Sequence, residues 1–225
     1  MTKKISLIID FDDTLVESNT ARDVLRDFVP DKYDEFAELY KAKKINFRKY
    51  QELSFEEAFK VTNSSKIKNS SLKNSQIRSG FEELVSYCKK NKINIYILSS
   101  GLDLYISPVL EQFSDYLNII AADVYIDQNN NPSFKYKKSY DEMCSPEWGI
   151  CKCKTVEELR KNNFLIYIGD GITTDLCASI KCDQIFALNP LYNNLLERKI
   201  TVSKFKNFKL IQNHIIKYQG NIIDT

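Results

Sequence analysis

Four short apolar runs recur along the chain, and patterns typical of α-helices lie between them. The runs are rich in Ile, Leu, Tyr and Phe, which favour buried β-strands, and they span residues 5–9, 93–98, 164–168 and 184–188. In one intervening stretch, Phe81, Leu84, Val85 and Cys88 recur at the spacing of a single helical face. Strands that alternate with helices predict a parallel sheet covered by helices on both faces. We therefore expect an α/β protein with a three-layer core.

Residues 16 to about 78 interrupt this alternation, because helical patterns follow one another there without a strand. The patterns span residues 21–28, 33–43, 47–53 and 55–61. Pro30 and the polar stretch 62–75 separate or end these helices, and residues 63–75 fit either a hinge or a solvated loop. We expect residues 16–78 to form a small helical cap, inserted into a core made of residues 1–15 and 79–225.

The remaining patterns complete the expected core. Further helices are predicted at residues 102–113, 156–159 and 176–180, and near the end of the chain from Phe208, Ile211, Ile215 and Tyr218. The turn residues 128–132 lie between two strand-like stretches, 124–126 and 134–136, which predicts a β-hairpin.

The composition excludes several classes of protein. The 225 residues are 43% hydrophobic, and 32 basic and 30 acidic side chains leave a net charge of +2. This balance gives no reason to expect nucleic acid or an anionic membrane as a partner. No apolar run approaches the length of about 18 residues that spans a membrane, and the first residues lack the pattern of a signal peptide. We expect a cytoplasmic protein that is a monomer or a homodimer.

The six cysteines predict reduced thiols rather than disulfides, because the chain is long and lacks a signal peptide. Cys144, Cys151 and Cys153 lie close together, but no paired C-x-x-C unit accompanies them, and the only histidine, His214, is distant in sequence. Structural zinc sites need four such ligands, so the pattern does not indicate one.

Two carboxylates, Asp10 and Asp12, directly follow the first predicted strand. Ligands of open α/β sheets bind at the carboxyl ends of the strands, where both side chains would lie. Two acids this close repel each other, and burying them without a partner is costly. The pattern indicates either a site for a divalent cation or an ordinary acidic turn.

A second acidic pair, Asp170 and Asp175, follows the third predicted strand and precedes a helix. Either residue could instead cap that helix. Together with Asp10 and Asp12, the pair supplies the oxygen donors that Mg²⁺ prefers. Neither motif contains His or Cys, which argues against zinc or copper.

Polar residues that suit an anion lie between these acidic pairs. Ser99, Ser100 and Gly101 follow the second predicted strand, where a hydroxyl and free helix N–H groups could bind an oxyanion or form an ordinary helix cap. Lys152 and Lys154 lie at the start of a helix, where a cation opposes the helix dipole. A lysine there is better explained if an anion or a carboxylate cluster lies nearby, although an exposed lysine is the alternative.

The order of these four motifs along the chain resembles that of the phosphatases of the haloacid dehalogenase superfamily. The resemblance covers nearly the whole chain. The most similar pattern is that of the subgroup holding phosphoserine phosphatases and methionine-salvage enolphosphate phosphatases. It implies a Rossmann-like core with an inserted type 1 helical cap, Mg²⁺ as cofactor, and hydrolysis of the phosphomonoester of a small metabolite.

The resemblance also implies a role for each motif residue. Asp10 would be the nucleophile that forms an aspartyl-phosphate, and Asp12 would act as general acid and then as general base. Thr14 would orient the loop that carries them. The phosphate group would contact Ser99, Ser100, Gly101 and Lys152, and Mg²⁺ would be held by Asp10, by the backbone carbonyl of Asp12, by Asp170 and, through water, by Asp175.

Two charged residues near these motifs, Lys154 and Asp13, are given no role by the resemblance. Lys154 is the alternative to Lys152, which is preferred because Val156 and Leu159 then follow four and seven residues later on one helical face. Asp13 matches no catalytic position of the superfamily.

The segment expected to select the substrate departs from the phosphoserine pattern. Phosphoserine phosphatases carry a glutamate for the substrate ammonium where this chain has Asn19, and a cap arginine where it has Ser54. Both losses argue against phosphoserine, although Arg22 or Arg48 could compensate. A methionine-salvage enolphosphate, phosphoserine and other sugar or cofactor phosphates stay open as substrates. A phosphotransferase or a non-catalytic binding protein on the same scaffold also stays open.

Overall fold

A seven-stranded sheet forms the centre of the described structure. The computed structural model describes residues 3–136 and 149–223. The strands over these residues are β1 (Lys4–Ile9), β2 (Asn94–Leu102), β3 (Asn118–Ile126), β4 (Pro132–Lys135), β5 (Asn163–Gly169), β6 (Gln184–Ala187) and β7 (Ser203–Lys204). Their order across the sheet is β4-β3-β2-β1-β5-β6-β7, and every neighbouring pair is parallel except β3 and β4. The expected α/β class with a parallel sheet is confirmed.

Ten α-helices accompany the strands within the same residues. They are α1 (Thr20–Phe28), α2 (Pro30–Lys41), α3 (Phe47–Val61), α4 (Ser64–Asn74), α5 (Phe81–Asn91), α6 (Asp103–Val109), α7 (Lys152–Leu159), α8 (Leu176–Ser179), α9 (Leu191–Glu197) and α10 (Phe208–Ile223). A short irregular turn, Phe11–Leu15, follows β1 with non-helical backbone at Asp12 and Asp13, and a 3₁₀ turn, Glu111–Phe113, follows α6. None of the described helices is both long and apolar enough to cross a membrane.

The central strand β1 sets the position of the motifs. Its Ile9 pairs with Ile97 of β2 on one side and with Ile168 of β5 on the other, and β1 and β5 end almost level with each other. The Asp10 N–H then donates to the Ile168 carbonyl oxygen at 2.9 Å, which fixes the first residue beyond the strand. The register therefore brings the three motifs that begin at Asp10, Ser99 and Asp170 to one edge of the sheet.

The strand β2 extends through the serine motif rather than ending before it. Its pairing with β3 is regular up to Leu98 and resumes at Leu102 with a shifted register. The expectation that Ser99 follows the end of a strand is therefore wrong in detail. An irregularity inside a strand redirects the intervening side chains, which here places them at the sheet edge.

Two expectations for the helical region are wrong. Residues 47–53 and 55–61 belong to one continuous helix, α3, in which Ser54 Oγ donates to the Tyr50 carbonyl oxygen at 2.8 Å. The polar stretch 62–75 is not a loop, because it contains α4. Asn63 caps that helix by accepting from the Lys66 N–H at 3.1 Å, and the buried Ile67 anchors it to the core.

Pro30 and one of the core helices also differ from the expectation. Pro30 opens α2, where the missing N–H of proline costs no hydrogen bond, so it begins a helix as well as separating two. The helix expected at residues 102–113 is shorter, because Leu102 belongs to β2 and the chain tightens into the 3₁₀ turn after α6. The hairpin is formed by β3 and β4, and the two-residue strand β7 was not expected from the sequence.

The helical segment α1–α4 leaves and rejoins the core at one place. Val16 and Ile77 form an isolated antiparallel bridge. The Glu17 N–H donates to the Gln76 carbonyl oxygen at 2.9 Å, and the Arg78 N–H donates to the Leu15 carbonyl oxygen at 2.8 Å. The two connections are thereby tied together beside the Phe11–Leu15 turn. The division into a core of residues 1–15 and 79–225 and a cap of residues 16–78 stays a prediction.

Candidate active site

The turn after β1 presents its side chains at the sheet edge. The Leu15 N–H donates to the Asp10 carbonyl oxygen at 3.2 Å, and Asp13 has a positive φ of 58° within the turn. Arg78 stabilises the turn by two hydrogen bonds. Its Nε donates to the Thr14 carbonyl oxygen at 2.8 Å and its Nη2 to the Asp13 carbonyl oxygen at 3.1 Å. The backbone of the acidic motif is thus held by a cation that leaves the carboxylates free for other partners.

A buried lysine joins two of the motifs. Lys152, at the first position of α7, is only 3% exposed, and its Nζ lies 2.5 Å from Asp10 Oδ1 and 2.6 Å from Asp175 Oδ1. Burial alone would lower the pKa of Lys152, but Asp10 and Asp175 raise it above its ordinary value. Lys154 is exposed. Of the two candidate lysines, the structure brings Lys152 to the acidic motifs.

Asp175 is surrounded by donors. Its Oδ1 accepts from the Tyr167 hydroxyl at 2.8 Å as well as from Lys152, and its Oδ2 accepts from the N–H groups of Asp170 at 3.2 Å and Gly171 at 2.9 Å. The side chain is completely buried. In this arrangement Asp175 fixes the lysine and the loop that carries Asp170.

Three carboxylates, those of Asp10, Asp170 and Asp175, lie together, with one oxygen of each within 4.8 Å of the others. Thr14 Oγ1 donates to Asp170 Oδ1 at 2.9 Å, which orients this acid toward the cluster. Burial and then repulsion by Asp175 raise the pKa of Asp170 to about 6, and the same two causes raise the pKa of Asp10 well above its usual range. The repulsion is what a bound cation would relieve.

The donor set fits Mg²⁺. All candidate side-chain ligands in the cluster are carboxylate oxygens, which hard divalent cations prefer, and the crowding of these acids is only partly offset by Lys152. The carboxyl group of Asp12 is not in this cluster among the described residues, and the backbone carbonyl of Asp12 as a ligand stays a prediction.

Asp12 faces a different set of partners. Its Oδ1 accepts from the Thr20 N–H at 2.7 Å, and its Oδ2 accepts from the Tyr105 hydroxyl at 3.2 Å. Burial raises the pKa of Asp12 to about 7, against the lowering effect of the Thr20 hydrogen bond. A carboxyl group with a pKa near neutrality can both give and take a proton.

The serine motif faces the same space. Ser99 Oγ accepts from the Gly101 N–H at 3.0 Å, which curls the backbone around the hydroxyl. Ser100 Oγ is buried and has no hydrogen-bond partner within the described parts of the chain. A buried hydroxyl without a partner is costly unless a ligand satisfies it, so this group is suited to an oxyanion.

A cavity of about 250 Å³ connects these groups with the helical segment α1–α4. Its polar end is formed by the acidic motifs, the serine motif and Lys152. Its opposite wall is mainly aromatic and apolar, with Leu25, Tyr33, Phe47, Tyr50, Phe55 and Tyr105. The wall also contains Asn19 and Arg22, whereas Ser54 is buried in α3 and does not line the cavity. The space therefore suits a ligand with an anionic head and a small, largely apolar body.

Three side chains at the site were not expected from the sequence: Tyr105, Tyr167 and Arg78. Tyr167 carried a usable signal, because a tyrosine in an otherwise apolar buried strand needs a partner for its hydroxyl. Tyr105 and Arg78 lie outside the motifs, and their partners are distant in sequence. No local pattern indicated them.

The fold and the arrangement of acids, lysine and hydroxyls define a phosphatase of the haloacid dehalogenase type. The phospho-aspartyl intermediate analogue of phosphoserine phosphatase superimposes with a TM-score of 0.65 at 19% identity, over 95% of this chain and 99% of that one. The structure of cytosolic 5'-nucleotidase IIIB bound to cytidine superimposes with a TM-score of 0.58 at 13% identity, over 99% and 88% of the two chains. These similarities show the fold.

The family model described as "Putative Phosphatase" matches residues 5–219, so the chain belongs to this family. Among curated proteins it is similar to the 2-hydroxy-3-keto-5-methylthiopentenyl-1-phosphate phosphatases of Bacillus cereus and Bacillus cytotoxicus. The identities are 27% and 29%, each over 94% of this chain and 95% of the relative. The expected superfamily and the class of phosphoric monoester hydrolases are confirmed.

Proposed function

We propose that the protein is a Mg²⁺-dependent phosphomonoesterase that hydrolyses a small phosphorylated metabolite through an aspartyl-phosphate on Asp10. The observation that carries this proposal is the position of Asp10 at the polar end of the cavity, paired with the buried Lys152 and next to Asp12. An attacking carboxylate, a fixed cation and a separate proton donor are what phosphoryl transfer requires.

In the first step, a carboxylate oxygen of Asp10 attacks the phosphorus atom. A bond between that oxygen and phosphorus forms while the bond between phosphorus and the leaving oxygen breaks. Asp12 in its protonated form gives its proton to the leaving oxygen, which departs as an alcohol or enol. Lys152 neutralises part of the negative charge that Asp10 and the phosphoryl oxygens bring together.

In the second step, the carboxylate of Asp12 takes a proton from a water molecule. The hydroxide attacks the phosphorus atom, the bond to Asp10 breaks, and inorganic phosphate is released. Asp12 is again protonated and Asp10 is again a free carboxylate, so the cycle closes. Ser99, Ser100 and the Gly101 N–H are the proposed donors to the phosphoryl oxygens.

The cofactor proposal concerns the same edge of the sheet. The proposed ligands are Asp10, Asp170 and the backbone carbonyl of Asp12, with Asp175 assisting through water. Bound there, Mg²⁺ supplies the positive charge that lets a carboxylate approach an anionic phosphate. Asp175 accepts hydrogen bonds from Lys152 and Tyr167, which supports an indirect role for this residue.

For the substrate, we favour an enolphosphate of the kind named for the curated relatives, 2-hydroxy-3-keto-5-methylthiopentenyl-1-phosphate. A methylthio tail is apolar and matches the aromatic wall of the cavity. Phosphoserine is the alternative, favoured by the fold similarity, but Asn19 offers no charge to an ammonium group and Ser54 does not line the cavity. Arg22 lines the cavity but is paired with Asp23 at 3.0 Å.

The helical segment α1–α4 is proposed to act as the cap that selects this substrate, because it supplies most of the apolar cavity wall. The cytoplasmic location and the monomeric or dimeric state expected from the sequence stay predictions.

The test is a comparison of phosphate release from the methylthio enolphosphate, phosphoserine, and several sugar and cofactor phosphates, each with Mg²⁺ and with EDTA. We expect Mg²⁺-dependent release, fastest from the enolphosphate. Full activity in EDTA would contradict the metal proposal, and a preference for phosphoserine would contradict the substrate proposal.

A further inference from the structure

Tyr105, at the start of α6, is buried between the helical segment and β2. Its ring is 1% exposed and stacks on Phe55 of α3, with the ring centroids 5.9 Å apart and the planes inclined by 9°. Its hydroxyl donates to Asp12 Oδ2 at 3.2 Å. A side chain of the core thus links a cap helix to the acid that handles the proton.

The two oxygens of Asp12 are held in different ways. The backbone N–H of Thr20, at the first turn of α1, fixes Oδ1, whereas Oδ2 receives the Tyr105 hydroxyl. A carboxyl group held at one oxygen can still rotate toward or away from a substrate. The second hydrogen bond limits that rotation, and it keeps Oδ2 beside the cavity that Tyr105 also lines.

The space for this hydroxyl depends on a glycine of the phosphate motif. A Cβ atom placed on Gly101 would lie 1.8 Å from the Tyr105 hydroxyl oxygen and 3.2 Å from Ser99 Oγ. The requirement is steric, because the backbone of Gly101 does not adopt a positive φ. Because Gly101 has no side chain, the Tyr105 hydroxyl has room beside the serine motif and can reach Asp12.

We propose that Tyr105 is a positioning residue that aims the carboxyl group of Asp12 at the leaving oxygen of the substrate. The proposal rests on the proposed function, since it assumes that Asp12 gives a proton to that oxygen as the bond from phosphorus breaks. The Tyr105 hydroxyl keeps its own proton throughout. Its contribution is to hold Asp12 Oδ2 in line with the leaving oxygen while the proton is transferred.

The test uses leaving groups of different basicity. An alkyl phosphate such as glycerol 2-phosphate needs its leaving oxygen protonated, whereas p-nitrophenyl phosphate releases a stable anion. We expect Tyr105→Phe to lower kcat/KM for the alkyl ester about tenfold or more, and to change it less than about threefold for the aryl ester. The inhibition constant of inorganic phosphate should stay the same, because the phosphate contacts are intact.

Tyr116→Phe is the matched control. Tyr116 also donates its hydroxyl to a buried partner, the Ile93 carbonyl oxygen at 2.6 Å, but it does not line the cavity. We expect this variant to hydrolyse both esters like the unmodified protein. Thermal unfolding of both variants separates a loss of fold from a loss of positioning.

A double substitution gives a second, independent measurement. In the background of Asp12→Asn, the change Tyr105→Phe should cost less than about twofold for the alkyl ester, because the group it positions is no longer an acid. Equal losses for both esters, or independent losses in the double variant, would contradict the positioning role while leaving the phosphatase assignment intact. If the unmodified protein with Mg²⁺ released phosphate from neither ester and from none of the metabolite phosphates, the proposed function itself would be contradicted.

Discussion

At the scale of single residues, the site is organised around one buried cation between two acids. Lys152 contacts Asp10 and Asp175, and all three side chains are almost completely buried. Removing one partner of a buried ion pair leaves the other charges without compensation, which typically costs about 3–5 kcal/mol. The lysine therefore stabilises the fold of the site as well as the charge of a substrate.

Lys152→Ala is expected to lower the free energy of unfolding by several kcal/mol and to reduce phosphatase activity by more than about a hundredfold. Lys154→Ala is the control, because Lys154 is exposed two positions later on the same helix. Urea unfolding and steady-state kinetics on both variants would check this. Equal effects of the two substitutions would contradict the assignment of Lys152 to the site.

Asp10→Asn is expected to abolish turnover while the fold is kept. The amide has nearly the same shape and still offers an oxygen to Lys152, but it is a poor nucleophile. Asp13→Asn is the matched control, since Asp13 lies in the same turn and lines the cavity without a proposed role, and asparagine tolerates its positive φ. Appreciable turnover by Asp10→Asn would exclude Asp10 as the nucleophile.

The acidic residues could be placed from the sequence because each motif is tied to the end of an apolar run. A buried parallel strand fixes where its carboxyl end lies, so Asp10 and Asp170 had to meet if β1 and β5 were neighbours. Tyr105 could not be placed in this way. Its contact with Asp12 depends on how α6 packs against the Phe11–Leu15 turn, which no local pattern encodes.

At the scale of elements, the hairpin β3–β4 holds a helix of the proposed cap. Asn130, at the hairpin turn, donates from Nδ2 to the carbonyl oxygens of Phe59 at 2.7 Å and of Thr62 at 2.8 Å, at the end of α3. Arg48 of the same helix lies over the Tyr136 ring at 4.4 Å. The core sheet thereby supports α3, which carries Phe47, Tyr50 and Phe55 into the cavity wall.

Asn130→Gly is expected to destabilise the protein by about 1–2 kcal/mol and to raise KM more than it lowers kcat. Glycine removes the amide but accepts the positive φ of 64° at this position, so the turn itself is not strained. A matched control is Asn129→Gly, because the only hydrogen bond described for Asn129 uses its backbone N–H. An unchanged KM in Asn130→Gly would show that the hairpin does not position α3 for substrate.

The helix α4 was not predicted from the sequence, because its local preference for a helix is weak. Six of its eleven residues are Ser or Asn, which favour caps and turns, and only Ile67 gives it an apolar anchor. The buried face is completed by Ser70 and Ser71, and Ser70 Oγ donates to Asp27 Oδ2 of α1 at 2.7 Å. Small polar residues let α4 pack closely against its neighbours, so tertiary contacts outweigh a weak local preference.

At the scale of the whole molecule, the crowded carboxylates of the site lower the stability of the fold when no cation is bound. The sheet edge holds Asp10, Asp170 and Asp175 together, and burial with mutual repulsion raises the pKa values of Asp10 and Asp170. A cation that binds only the folded protein stabilises it by mass action. Metal binding and global stability should therefore be linked.

This linkage has a defined direction with pH. In EDTA, the pKa values of about 6 for Asp170 and about 7 for Asp12 exceed the ordinary value of 3.8, so the folded protein holds protons that the unfolded chain has released. Stability contributed by these protons is complete below about pH 4 and is lost as the pH rises through about 7. We expect the free energy of unfolding in EDTA to fall by roughly 4 kcal/mol from pH 5 to pH 8, at about 1.4 kcal/mol for each pKa unit.

Magnesium should reverse this loss, because it binds the deprotonated carboxylates: a large rise in unfolding temperature is expected at pH 8 and a small one at pH 5. Asp170→Asn keeps an oxygen for Thr14 but removes one charge, so it should flatten the pH dependence in EDTA and weaken the effect of Mg²⁺. Thermal unfolding of both proteins at both pH values, with EDTA and with Mg²⁺, measures the temperature shifts, and urea unfolding in EDTA measures the free energy of unfolding. If the two proteins lost stability equally between pH 5 and pH 8, this loss would arise outside the carboxylate cluster. The proposed coupling of metal binding to global stability would then be wrong.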